Sequence, residues 1–240
     1  MTREHAVPTA SAIFFDVDGV LVDSLESHLQ ICRDKNREFG LKLKIPTARQ
    51  LREMVSRGVR ISPMKEFFLA VGFSEPFAER ADADYRRDFA ANYVVKPFPG
   101  VKKMLLELAS TGAALGLVTS NTRAIVASSL GDVVRVFRSD LRFTIDHPRR
   151  LGKAQALIAG ARKLRILPSA ALYVGDQPKD FEAARAAGTQ FLGVTFGWGL
   201  SGKEKELEAV ETIAELGRAL RSKVETRSVT RSPRRAAARA

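Results

Sequence analysis

The chain has 240 residues, 45% of them hydrophobic and 28% charged, an ordinary globular balance. A chain of this length can bury about 70–75% of its unfolded surface, in one domain or two small ones. Lysines and arginines number 39 against 27 acids, a net charge of +12, and residues 218–240, with eight basic side chains and the single acid Glu225, carry +7 of it. One cysteine, Cys32, excludes a disulfide scaffold and a cysteine-built zinc site. No apolar run approaches the ~18 residues of a membrane span. Residues 1–10 lack the charged head and apolar stretch of a secretory signal, so the expected compartment is the cytoplasm.

Residues 12–16 are a short apolar run ending in an acid and read as a buried strand. Residues 25–95 contain no β-branched run. Their apolar residues recur at helical spacing, as at Phe67, Phe68 and Val71, and Pro46 and Pro63 punctuate them into several helices. The Pro- and Gly-rich segment 96–100 closes this stretch. Further strands are expected at 113–119, 171–175 and 190–195, each near-continuously apolar, as in a sheet covered on both faces. Another is expected within 133–145. Helical patterns fall between them, at 101–110, 122–130, 153–164 and 179–187, and a last amphipathic helix is expected at 204–220.

Strands alternating with helices predict an α/β fold, a doubly wound, Rossmann-like parallel sheet. Residues 1–24 and 96–222 would form this core, and 25–95 an α-helical cap inserted into it. Residues 223–240 are Arg, Ser, Thr and Ala with almost no large apolar residue, and read as a disordered basic tail.

Ligands of open parallel sheets bind beyond the carboxyl ends of the strands. The first strand delivers Asp16 and Asp18 there, the second Thr119, Ser120 and Asn121, and the third Asp176 and Asp180. Carboxylates gathered so closely repel unless a cation sits among them, and an all-oxygen set suits a hard ion, Mg²⁺ above all. Read singly, these residues have blander roles. Asp176 and Asp180 are suited to capping the next helix, and Ser120 and Asn121 to turn chemistry.

Together the motifs resemble the haloacid dehalogenase superfamily. Asp16-Val17-Asp18-Gly19-Val20-Leu21-Val22-Asp23-Ser24 looks like its first motif and Leu117-Val118-Thr119-Ser120-Asn121 its second. Lys153, opening a helix, stands where the third has a lysine, and Gly175-Asp176-Gln177-Pro178-Lys179-Asp180 is similar to the fourth, with Gln177 where Ser or Thr is usual. The helical insertion resembles the cap of the phosphoglycolate phosphatase-like branch. The resemblance implies a Mg²⁺-dependent phosphatase acting on a small phosphorylated metabolite through an aspartyl-phosphate. Asp16 would be the nucleophile and Asp18 the acid and base. Mg²⁺ would be held by Asp16, the Asp18 main-chain carbonyl, Asp176 and Asp180, directly or through water. Thr119 and Lys153, with Ser120 and Asn121 beside them, would hold the phosphoryl group and substrate.

A sugar-phosphate mutase of the β-phosphoglucomutase type would use the same residues. Dehalogenating members lack the second acid of the first motif, which is present here as Asp18. A non-catalytic protein working through its Arg-rich tail, on nucleic acid or an anionic membrane, would be expected to have lost a core residue. None is lost, and a solvated tail is the plainer reading. Arg57 and Arg60 are expected at a solvated helix end, Trp198 in packing, and His28 in no assigned role.

Overall fold

A computed structural model describes residues 10–202, 204 and 206–225. In chain order these form β1 (Ala12–Phe15), β2 (Val22–Asp23), α1 (Leu25–Glu38), α2 (Ala48–Ser56), α3 (Met64–Ala70), α4 (Glu75–Asn92) and β3 (Lys96–Pro97). There follow α5 (Val101–Ser110), β4 (Ala114–Val118), α6 (Arg123–Leu130), β5 (Arg142–Phe143), α7 (Lys153–Leu164), β6 (Ala171–Gly175), α8 (Pro178–Ala187), β7 (Gln190–Val194), β8 (Ala209–Val210) and α9 (Ile213–Glu225).

Six strands make one parallel sheet in the order β5-β4-β1-β6-β7-β8. The first strand of the chain is therefore central, with Ile13 opposite Leu115 on one side and Leu172 on the other. Side chains alternate across a strand, so successive residues serve opposite faces. Ile13 and Phe15 join Leu115, Leu117, Leu172 and Val174 on one face, packed with the buried residues of α5, α6 and α9. Ala12 and Phe14 join Val118, Ala171 and Tyr173 on the other, beneath α7 and α8.

Residues 25–92 are helical, α1 to α4, and enter and leave the sheet domain through one antiparallel pair, β2 with β3, where Val22 lies opposite Pro97 and Asp23 opposite Lys96. The apolar interior of these helices, Phe67, Phe68, Tyr85 and Phe89 included, is continuous with the first face of the sheet.

The carboxyl-terminal part differs from expectation. Residues 209–210 pair with β7 as a short edge strand, and the last helix begins only at Ile213. Glu208 and Val210 carbonyls accept from the Gly193 and Thr195 N–H groups, and that ladder claims residues whose apolar spacing also suits a helix. The helix then runs to Glu225, through the first three residues expected of the basic tail. Residues 226–240 of that tail lie outside the described residues. Among the described residues no helix is long and apolar enough to cross a membrane.

Helix α7 must lie close on the sheet, since its first residue is Lys153. Gly160 permits this approach: a Cβ there would meet the Phe14 ring at 2.4 Å. The ring cannot retreat, because it is fully buried and a Cβ at Gly116 of β4 would meet it at 2.6 Å. Glycine to alanine inside a helix ordinarily gains up to about 1 kcal/mol. Overpacking a closed core costs about 1–3 kcal/mol. The contact decides the sign, so Gly160→Ala is expected to lower the urea midpoint rather than raise it.

Candidate active site

Three of the six strands end in chemistry. Asp16 follows β1, Thr119 follows β4, and Asp176 follows Gly175, the last residue of β6. Asp16 is buried; its Oδ1 accepts from the Val17 N–H at 2.8 Å and its Oδ2 from Lys153 Nζ at 2.5 Å. The same ammonium donates to Asp180 Oδ1 at 2.6 Å. Asp180, fully buried in the first turn of α8, takes the Asp176 and Gln177 main-chain N–H groups on Oδ2 at 3.3 and 3.1 Å. It thus anchors the loop that carries Asp176 and orients Lys153. Asp176, also fully buried, accepts the Trp198 main-chain N–H on Oδ2 at 2.7 Å, while its Oδ1 has no hydrogen-bond partner among the described residues.

One oxygen from each of Asp16, Asp176 and Asp180 lies within 4.8 Å of the others. Three carboxylates against one ammonium leave excess negative charge in a dry space. Burial lifts the Asp16 carboxyl from 3.8 to about 6; Lys153 opposes this, and Asp180 and Asp18 add to it. Burial, then Asp180, then Asp16 push Asp176 well above the carboxylate range. An unpartnered buried carboxylate oxygen beside uncompensated negative charge fits a divalent cation with oxygen ligands. The chain turns tightly here to bring the loops together. Gly19 has φ +72°, and a Cβ on it would stand 2.3 Å from Asp176 Oδ2.

A second constellation surrounds Asp18, which is half-buried. Its Oδ1 accepts from Ser24 Oγ and its Oδ2 from Asn121 Nδ2, both at 2.5 Å. Asn121 Oδ1 accepts in turn from the Tyr85 hydroxyl of α4 at 2.8 Å. His28 of α1 places Nε2 3.0 Å from that hydroxyl and Nδ1 2.7 Å from the Ser24 carbonyl. Burial holds the His28 pKa below its usual value, and the one N–H of a neutral ring serves only one of these two contacts. Thr119 Oγ1 accepts from the Asn121 N–H at 3.2 Å, and Ser120 Oγ from Ser62 Oγ of the insertion at 3.1 Å.

Between the insertion and the strand ends lies a cavity of about 30 Å³, walled by Asp16, Asp18, Ser120 and Asn121 below and by Ser62, Phe67 and Tyr85 above. His28, Gln177 and Trp198 also line it. The Trp198 indole N–H is buried without a partner among the described residues.

The structure therefore gathers Asp16, Lys153, Asp176 and Asp180 in one cluster, and Asp18 and Asn121 in a second; Asp16, Asp18, Ser120 and Asn121 line the cavity, and Thr119, Lys153, Asp176 and Asp180 are bonded to residues that do. Arg57 pairs with Glu53 on an exposed surface. Three contributors, His28, Tyr85 and Lys179, went unassigned in the sequence reading. His28 and Tyr85 are 57 residues apart, and no local pattern pairs them. The Ser24-to-His28 step is one helical turn, a spacing that could have drawn attention to the ring. Trp198 is packed as expected but also lines the cavity. Lys179 donates to the Ser62 carbonyl at 3.4 Å, and burial, reinforced by Lys153, brings its amine down to about 8.

These shifts carry a sign for stability. Asp16 titrates higher folded than unfolded, so protons favour the fold. That contribution is complete below the unfolded value of 3.8 and is lost as pH rises through about 6. In chelator at pH 7.5 the cluster is repulsive, and a divalent cation is expected to raise the thermal midpoint by mass action, about 2.7 kcal/mol at a hundred times its Kd. Asp176→Asn keeps the acceptor for Trp198 and removes one charge. In chelator it is expected to melt above the unsubstituted protein, and to lose the response to the cation in a thermal-shift titration.

Comparison with known proteins agrees with this geometry. Residues 13–194 match the family model of the haloacid dehalogenase-like hydrolases. The chain is 30% identical over 196 residues to a phosphoglycolate phosphatase of Synechococcus elongatus, covering 78% of this chain and 84% of that one. It is 27% identical over 194 residues to an N-acetylmuramic acid 6-phosphate phosphatase of Pseudomonas putida, covering 78% and 83%. A haloacid dehalogenase-like hydrolase of Streptococcus pneumoniae superposes with a TM-score of 0.71 at 24% identity, covering 88% of this chain and 98% of that one, a likeness of fold. A strand-end pair of acids, a lysine bridging to the acid of a later helix, and a family match over most of the chain agree, and the protein belongs to the haloacid dehalogenase-like hydrolases.

Proposed function

We propose that this protein is a Mg²⁺-dependent phosphatase that hydrolyses a small phosphorylated metabolite through an aspartyl-phosphate on Asp16. The observation that carries the reading is Lys153, which bridges Asp16 and Asp180 within a buried cluster of acids. An ammonium held beside a nucleophilic carboxylate marks where a phosphoryl group would be received.

Asp16 Oδ would attack phosphorus as the bond to the leaving oxygen breaks. Asp18 would give its proton to that oxygen. It would then take a proton from the water whose oxygen displaces Asp16 from phosphorus, releasing inorganic phosphate and restoring both carboxyl groups. Lys153 and the Thr119 hydroxyl would hold the phosphoryl oxygens. Asp16, Asp176 and the Asp18 carbonyl would hold Mg²⁺. Both oxygens of Asp180 are already engaged by Lys153 and by main-chain N–H groups, which suits it to an indirect role. The ion, when bound, supplies neutralisation of the charge between nucleophile and phosphate.

The insertion would select the leaving group, since Ser62, Phe67 and Tyr85 face the strand ends across the cavity. The phosphatase names of two relatives, one for phosphoglycolate and one for a sugar 6-phosphate, support a small organic leaving group.

Phosphate release from a panel of phosphorylated metabolites tests the reading. Release is expected to require Mg²⁺, to vanish in Asp16→Asn, and to fall by about 10²–10⁴-fold in Asp18→Asn. Undiminished release from Asp16→Asn would sink it.

A further inference from the structure

Resting on the reading of Asp18 as acid and base, we propose that Tyr85, carried by the helical insertion, is a positioning residue for the reaction. Through the side-chain amide of Asn121, its hydroxyl sets the direction in which Asp18 faces the leaving oxygen.

The polarity of the chain supports this. Both oxygens of Asp18 accept, Oδ1 from Ser24 and Oδ2 from Asn121 Nδ2, so the Asn121 amide turns its Oδ1 the other way. There it meets the Tyr85 oxygen at 2.8 Å, a contact that needs a proton between the two oxygens. Each link thus fixes the next. The three residues come from separate segments: the loop after β1, the loop after β4, and α4. Ser24 holds the other oxygen of Asp18, so the carboxylate is clamped on both sides.

Tyr85 is itself held firmly. Its ring lies 4.6 Å from Phe89 and 5.5 Å from His28, centroid to centroid, and it is buried. Burial and the Asp18 charge keep the phenol well above its usual pKa, so it remains a donor at neutral pH. Without the hydroxyl, the buried Asn121 carbonyl loses its partner. The amide is then held from one side only, and the angle at which its Nδ2 meets Asp18 is no longer fixed. The consequence is specific: Asp18 is correctly aimed only while α4 is seated over the strand ends.

Tyr85→Phe keeps the ring and removes the hydroxyl. The readout is kcat/KM, which covers steps up to phosphoryl transfer to Asp16, for an alkyl phosphate from the panel and for p-nitrophenyl phosphate. Nitrophenolate departs without a proton; an alkoxide does not. The alkyl phosphate is expected to lose about 10–100-fold, and the nitrophenyl ester to stay within about threefold. In an Asn121→Ala background Tyr85→Phe should cost nothing further on the alkyl phosphate, since the two act in series. Phe89→Leu, which loosens α4 and so unseats the hydroxyl, should show a split in the same direction.

Equal losses on both substrates, no loss, or additive losses in the double variant would each overturn the proposal. Asp18→Asn separates it from the reading beneath. If that variant still cleaves the alkyl phosphate at the unsubstituted rate, the acid–base assignment itself fails. If it is inactive while Tyr85→Phe shows no split, only the role of Tyr85 fails.

Discussion

Three carboxylates share a buried space with one ammonium, and most of the architecture around the strand ends serves to tolerate that charge. Isolated, each buried anion would neutralise itself by taking a proton. Asp180 spends both oxygens on Lys153 and two main-chain N–H groups. Asp16 is divided between Lys153 and the Val17 N–H. Asp176 alone keeps an oxygen in reserve. The fold holds this unbalanced arrangement with close-packed glycine turns and with a helix, α7, pressed against the sheet so that its first side chain reaches the first strand.

The insertion is joined to the sheet domain in two different ways. Apolar burial is continuous from Phe67 and Phe89 to Ile13, which keeps the two parts together without specifying an orientation. Polar contacts supply the orientation: Tyr85 to Asn121, Ser62 to Ser120, Lys179 to the Ser62 carbonyl, and Arg52 to the Gly197 carbonyl at 3.3 Å. Contacts of this type exchange with water at small net cost, whereas burial does not.

Much of the sheet was legible because parallel strands buried on both faces read as short apolar runs, and the acids at their ends interrupt those runs abruptly. Asp16, Asp18, Asp176 and Lys153 could be named for this reason, and because their order along the chain is itself distinctive. The edge strand at 209–210 was not legible: two residues have no period, and only pairing with β7 defines them. Neither was the group around Asp18. His28 and Tyr85 lie on helices whose apolar spacing places them inside, and a buried histidine or tyrosine looks like core until its polar atom is seen to point at another. Asn121 was named for its place after Thr119, but its link to Asp18 spans 103 residues and depends on the closure of the whole sheet.

Trp198 gives the site a property unrelated to chemistry. It is the one tryptophan in the chain. Its main-chain N–H is bonded to Asp176, its ring meets His28 edge-on at 5.1 Å, and its indole N–H is buried at the cavity wall with no partner among the described residues. Red-edge excitation therefore views a single indole, touching both the acid cluster and the underside of the insertion. The intrinsic emission of the unlabelled protein is an optical gauge of that cavity alone, with no second fluorophore of its kind to dilute the signal.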